Sequence, residues 1–145
     1  MTIRHCLILG VAAALAAAIP AAAHHSFAAE FDSEKPVTVH GAIHKMDWVN
    51  PHSWIYVDVK NADGTVTNWR FEMGPPNALL RMGWRKDSIA PGTEVEITGY
   101  RAKTGEPVAN AKTVKLPDGR ELFSGGSAPG SGGPAGSAAP GERKQ

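Results

Sequence analysis

A small all-β domain is what the sequence predicts, and three observations carry that reading. Between residues 37 and 116 apolar side chains recur with a period of two, the spacing of half-buried strands. Turn-forming stretches separate these runs: Asn61 to Gly64, Ala90 to Gly92 and Pro117 to Gly119. A single interruption, Pro75 to Gly83, breaks the alternation between the third and fourth runs. Three strands, a short helix and two strands is the order of an OB barrel. The predicted architecture is therefore a small five-stranded OB-like β-barrel with one short helix between strands 3 and 4. A β-sandwich or an SH3-like barrel is the competing arrangement, and the position of the helix favours the first.

Each element has its own warrant. Strand 1, Val37 to Val49, places Val37, Val39, Gly41 and Ile43 on one face, and His40, Ala42, His44, Met46 and Trp48 on the other. Strand 2, Ser53 to Lys60, sets Ile55, Val57 and Val59 against Trp54, Tyr56 and Asp58. The Asn-Ala-Asp-Gly stretch at 61–64 turns the chain into strand 3, Thr65 to Met73, with Thr67, Trp69, Phe71 and Met73 on its shielded face. Pro75 and Pro76 can open a helix, because proline in its first turn loses no needed hydrogen bond. Gly83 is a natural stop, so the only helix of the domain is expected near residues 76–82. Strand 4, Thr93 to Ala102, points Val95 and Ile97 inward; strand 5 is Asn110 to Leu116, followed by a short Arg120 to Phe123.

The two chain ends read differently. Arg4 and His5 precede an apolar run, Cys6 to Ile19, closed by Pro20 and three alanines. That is the layout of a secretory signal peptide over residues 1–23. The run is shorter than the ~20 residues that span a bilayer, so no membrane span is expected after cleavage. The expected destination is the periplasm. Cys6, the sole cysteine, leaves with the signal, which excludes disulfides, thiolate metal sites and cysteine nucleophiles from the mature chain. From Ser124 to Gln145 the composition is Gly, Ser, Ala and Pro with a charged tip, read as a disordered tail whose removal leaves stability unchanged. The domain is thus 24–123. A net charge of +1 with no basic stripe argues against nucleic acid as a partner.

Two stretches carry candidate chemistry. In Trp-Val-Asn-Pro-His-Ser-Trp, residues 48–54, two tryptophans bracket a turn. On the OB reading this turn joins strands 1 and 2, at the edge where such folds bind ligands. Pro51 fixes the turn and His52 is presented at its tip. Asn50, Trp48, Trp54 and Tyr56 are the neighbouring candidates for ligand binding; equally, the tryptophans can close a barrel end. The second stretch begins near His24. Cleavage after Ala23 frees the amine of His24 to chelate together with its imidazole, with a third nitrogen completing a T-shaped site. Cleavage after Ala22 makes His25 the third residue of a square-planar site. Such nitrogen-rich planar sets suit Cu(II) or Ni(II). His24, His25 and His52 are therefore the candidate metal ligands, with copper the candidate cofactor; a solvated junction is the plain alternative for the pair. His40, His44 and Met46 share a strand face and are weaker candidates. Asp58 and Glu72 stand as single carboxylates, and no hydrolase, P-loop, zincin or dinucleotide fingerprint occurs.

The ordered motifs His-His-Ser-Phe-Ala-Ala-Glu-Phe-Asp (24–32), residues 48–54, Phe71 to Trp84 and Pro91 to Gly105 resemble a family of small exported bacterial proteins of unknown function. The resemblance spans His24 to Phe123 and leaves the glycine-rich tail outside. It implies a periplasmic OB-like domain, and it places His24, His25, Asn50, Pro51, His52 and Trp54 in the family pattern without assigning them an activity. The leading expectation is a non-enzymatic binding module that takes copper through the mature N terminus and the Asn-Pro-His loop. The alternative is an accessory protein gripping a periplasmic protein partner or small organic ligand on the aromatic face of strands 2 and 3, built from Trp54, Tyr56 and Trp69. An enzyme comes third, with copper-dependent oxidation as the only chemistry that has candidate residues.

Overall fold

The computed structural model describes residues 27–133. The signal segment, His24 and His25 lie outside the described residues. A short helix over residues 27–30, α1, leads into β1 (Phe31–Asp47), β2 (Trp54–Lys60) and β3 (Val66–Glu72). Helix α2 (Pro76–Arg81) follows, then β4 (Glu94–Ala102), β5 (Val108–Lys115) and β6 (Glu121–Phe123). No helix among the described residues is long and apolar enough to cross a membrane.

The strands form one six-stranded sheet in the order β3-β2-β1-β4-β5-β6, and β3 also pairs with β5. The pairings along this order are antiparallel, whereas β3 and β5 run parallel, with Glu72 opposite Asn110. β1 spans 17 residues and serves two partners. Its first part pairs with β4, from Phe31 opposite Ala102 to Ala42 opposite Glu94, and its second part pairs with β2. It begins at Phe31 rather than Val37 because Phe31 and Pro36 also pair with β4, with an irregularity between them.

The alternation read from the sequence holds up to Ile43. There a bulge inserts His44, so that Ile43 faces Val57 but Lys45 faces Tyr56 and Met46 faces Ile55. One extra residue turns every later side chain to the other face. Met46 and Trp48 pack against the core instead of sharing a face with His40 and His44. Close backbone approach explains Gly41: a Cβ there would lie 2.5 Å from the Asp58 carbonyl oxygen.

The main core joins Val39, Ile43, Ile55, Val57, Phe71, Val95, Ile97 and Val114 with Leu79 of α2. Phe71 and Met73 are fully buried, and Trp69 stacks on Phe71 with ring centroids 5.8 Å apart. Strand 3 therefore shields the face expected of it. Trp84, which lies in no periodic segment, is also fully buried and donates its Nε1–H to the Phe123 carbonyl at 2.8 Å.

Two expectations are corrected. The domain has a second short helix, α1, because Phe27 has a place to dock. Phe27 stacks on Phe31 at 5.7 Å and meets Tyr100 edge-on at 5.8 Å. With Ala102, Val108 and Ala128 they form a second, smaller core, against which Trp54 packs. The chain also does not lose its structure at Ser124. Ser124, Ala128 and Ser131 are buried. The Gly74 amide donates to the Ser124 carbonyl at 2.9 Å, and the Gly125 amide donates to that of Ser131 at 2.9 Å. Residues 134–145, the rest of the expected tail, lie outside the described residues.

Candidate functional site

The Asn-Pro-His loop is fastened at its downstream end. The Ser53 amide donates to the Gly74 carbonyl at 3.1 Å, and the Met73 amide donates to the Ser53 carbonyl at 2.9 Å. Ladder pairing continues from there, with Trp54 opposite Glu72. These bonds bring His52 beside the end of β3. The Asn50–Pro51 peptide bond is cis. His52 is not simply presented outward at a tip: its Nδ1 lies 3.0 Å from Glu72 Oε1.

Glu72 is the residue that sequence reasoning missed. Alternation puts it on the outer face of β3 with Asn68 and Arg70, where a lone carboxylate is ordinarily solvated. Here it is only 5% exposed. The parallel pairing sets Asn110 across from it, and the Asn110 amide Nδ2 donates to Glu72 Oε1 at 3.0 Å. Asn110 is itself fully buried and fixed from behind. The Ala128 backbone N–H donates to its Oδ1 at 3.1 Å, and Ser127 Oγ lies 3.2 Å from its Nδ2. Phe27, Glu30, Phe31, His52, Glu72 and Ser127 line a cavity of about 30 Å³. That is room for a water-sized or ion-sized group and no more.

Burial pushes the Glu72 carboxyl up from its ordinary range; the neighbouring Glu30 charge adds to this, while His52 and the Asn110 hydrogen bond oppose it. The consequence has a definite sign. Between the ordinary carboxylate range and the raised value, the folded chain binds more protons than the unfolded one, so stability falls as pH rises through that window. Glu72→Gln keeps an oxygen for Asn110 and removes the titration. Urea midpoints measured across pH should decline through the window for wild type relative to Glu72→Gln. Parallel curves would show that Glu72 titrates normally.

The other candidates do not converge on this cavity. Trp48 belongs to the main core, and its indole nitrogen is buried with no partner among the described residues. Asn50 is exposed. Tyr56 lies under the Lys45 ammonium, 4.3 Å from its ring centroid. Trp54 lines a separate cavity of about 270 Å³ with Phe31, Arg70 and Lys103 among others. Trp69 lies on the opposite side of the sheet from Trp54 and Tyr56, since it pairs with Val57 and stacks on Phe71. Strands 2 and 3 thus offer no single face carrying all three aromatics. His40 and His44 are separated too: His40 lies 3.5 Å from Glu96, and His44 lies 3.1 Å from Asp58. No three potential ligands among the described residues form a metal cluster by themselves.

The chain belongs to a family of unknown function, DUF6152, whose model matches residues 12–111. The match takes in the Asn-Pro-His loop, Glu72 and Asn110, and stops short of β6 and the segment that closes over Asn110. No curated protein and no solved structure gives a significant match to the chain.

Proposed function

We propose that this member of the family is an exported, non-enzymatic binding module that holds a transition metal ion, copper by preference, between its mature N terminus and His52. The observation that carries the reading is that Phe27 and His52 line the same small cavity. Phe27 stands three positions after His24 and two after His25. At roughly 3.3 Å per residue, an extended leader anchored at Phe27 brings either histidine within about 10 Å of its anchor. With a free amine and its own imidazole at the start of the chain, the leader supplies two nitrogens and His52 a third. A nitrogen-rich set of this kind favours Cu(II) or Ni(II). Signal cleavage beside His24 and periplasmic residence belong to the same proposal.

The fold reading that accompanies it is an OB-like barrel. The β3–β5 pairing supports it, since it joins one end of the strand order back to β5, and the helix between strands 3 and 4 stands where such a barrel carries it.

The test is a fluorescence-monitored Cu(II) titration of the processed chain, its cleavage bond fixed by intact mass. Trp48 and Trp54 flank the loop, so bound Cu(II) should quench their emission. Affinity should fall on acidification, because an imidazole ligand must be neutral. His52→Ala, or one residue added before the mature N terminus, should weaken binding, whereas His40→Ala should not. Equal affinity in His52→Ala and wild type would remove His52 from the site.

A further inference from the structure

We propose that the cavity beside Trp54 is a second binding site, for a small zwitterion with one flat apolar group, the chemistry of a free aromatic α-amino acid. Among the described residues its lining runs from Ala29 to Val108 without His52, so it stands apart from the metal-binding reading. The cavity measures about 270 Å³. That is just below the range of about 300–1,000 Å³ for pockets that take drug-sized ligands, so it suits a molecule of a single ring. Its buried lining is apolar. Phe31, Ala102 and Val108 belong to the smaller core, and half-buried Trp54 packs against that core. An indole wall beside aliphatic side chains offers a ring both stacking area and dispersion contact. Backbone bonds shape the site. The Lys103 amide donates to the Glu30 carbonyl at 2.9 Å, the Gly105 amide to that of Ala102 at 3.2 Å, and the Arg70 amide to that of Pro107 at 3.0 Å. The 102–107 turn is thereby tied to α1 on one side and to β3 on the other.

Four charged side chains stand around this lining, two anionic and two cationic: Glu30, Glu106, Arg70 and Lys103, all exposed. A ligand with a lone carboxylate meets Glu30 and Glu106 as like charges, and one with a lone ammonium meets Arg70 and Lys103. A molecule carrying both groups at one end finds an opposite charge for each. The cations also have donors to give. Lys103 Nζ uses one of its three on the Ala28 carbonyl. Arg70 Nη2 meets Glu106 Oε2 at 3.5 Å, with the two side chains 48% and 63% exposed. That separation exceeds the range of about 2.7–3.2 Å for an ordinary hydrogen bond. So loose a surface pair contributes little to stability. A ligand carboxylate can replace Glu106 with a two-pronged contact to the guanidinium, which releases Glu106 for the ligand's ammonium.

Calorimetric titration of the processed, metal-free chain at neutral pH tests this. The probes are L-phenylalanine, 3-phenylpropionate, which lacks the ammonium, and phenethylamine, which lacks the carboxylate. L-Phenylalanine should bind at least about tenfold more tightly than either, the loss expected for one charged hydrogen bond. L-Alanine, without the ring, should also bind more weakly. Arg70→Ala should weaken L-phenylalanine binding by about tenfold. Its melting temperature should match that of wild type, because the guanidinium is exposed and its ion pair loose, so the loss reports the site and not the fold. 3-Phenylpropionate or L-alanine bound as tightly as L-phenylalanine would overturn the ligand class. Failure of L-phenylalanine to bind, or binding indifferent to Arg70→Ala, would overturn the site. None of these outcomes depends on copper, so they leave the metal-binding reading to its own titration.

Discussion

Replacing Phe71 by alanine should lower stability by about 3–5 kcal/mol, the range for a fully buried phenylalanine. Phe71 has no exposed surface, pairs with Ile55 across β2 and stacks on Trp69. Its ring sits in the main core among side chains from β1, β2, β4 and β5. The truncation removes contact on several sides at once, and the sheet around it is too constrained by pairing to collapse into the void. Small domains have only about 5–15 kcal/mol in all, so the variant should unfold at a far lower urea concentration. The check is a urea titration, with the midpoint falling and the slope unchanged. An unchanged midpoint would mean that strand 3 turns its other face inward.

Ending the chain at Phe123 should be the other large effect. Composition alone predicts no loss, and the structure reverses that expectation. Asn110 is fully buried and would lose both the Ala128 N–H at its Oδ1 and Ser127 at its Nδ2. The Gly74 amide would lose the Ser124 carbonyl. A buried polar group left without its partner costs about 1–3 kcal/mol. Loss of several together should lower the melting temperature by at least about 8 °C, taking the smallest plausible total as about 2 kcal/mol. A chain ended after Gly133 retains all of these contacts and should melt with the full-length protein. Equal melting of the two truncated chains would show that residues 124–133 contribute nothing.

The contrast between Phe71 and the 124–133 segment shows what the sequence makes legible. Period-two alternation depends only on which face of a strand is covered, so Ile55, Val57, Phe71, Val95 and Ile97 could be assigned inward from the chain alone. The pattern fails where a single residue is inserted. The bulge at His44 leaves no mark in composition, yet it carries Met46 and Trp48 to the other face and dissolves the grouping of His40, His44 and Met46. Glycine-rich composition misleads for a different reason. It marks a chain with little apolar surface, but it also permits backbones to touch: a Cβ on Gly74 would lie 2.1 Å from the Gly125 carbonyl oxygen, so the two segments meet only because Gly74 has none.

The site divides along the same line. His52 was legible, because an Asn-Pro-His turn between tryptophans is unusual in itself. Glu72 was not. Its burial comes from Asn110, 38 residues further on, and from cover supplied by α1 and the 124–131 segment. Non-local cover of an outer strand face has no period to detect. The predicted ligand group of Asn50, Trp48, Trp54 and Tyr56 also breaks up for reasons of register, since Trp48 follows the bulge inward while Tyr56 remains outside beneath Lys45.

That one ion is shared by the mature N terminus and His52 is the claim on which the functional account stands. A double-mutant cycle on Cu(II) affinity tests it most directly, using the processed chain, His52→Ala, a form with one residue added before the mature N terminus, and the two changes combined. Changes at independent sites add, whereas changes at one shared site do not. The account predicts that each single change weakens binding and that the combined form is little weaker than the worse of the two. Strict additivity would place the two groups on different ions, and no loss in either single form would end the metal-binding reading.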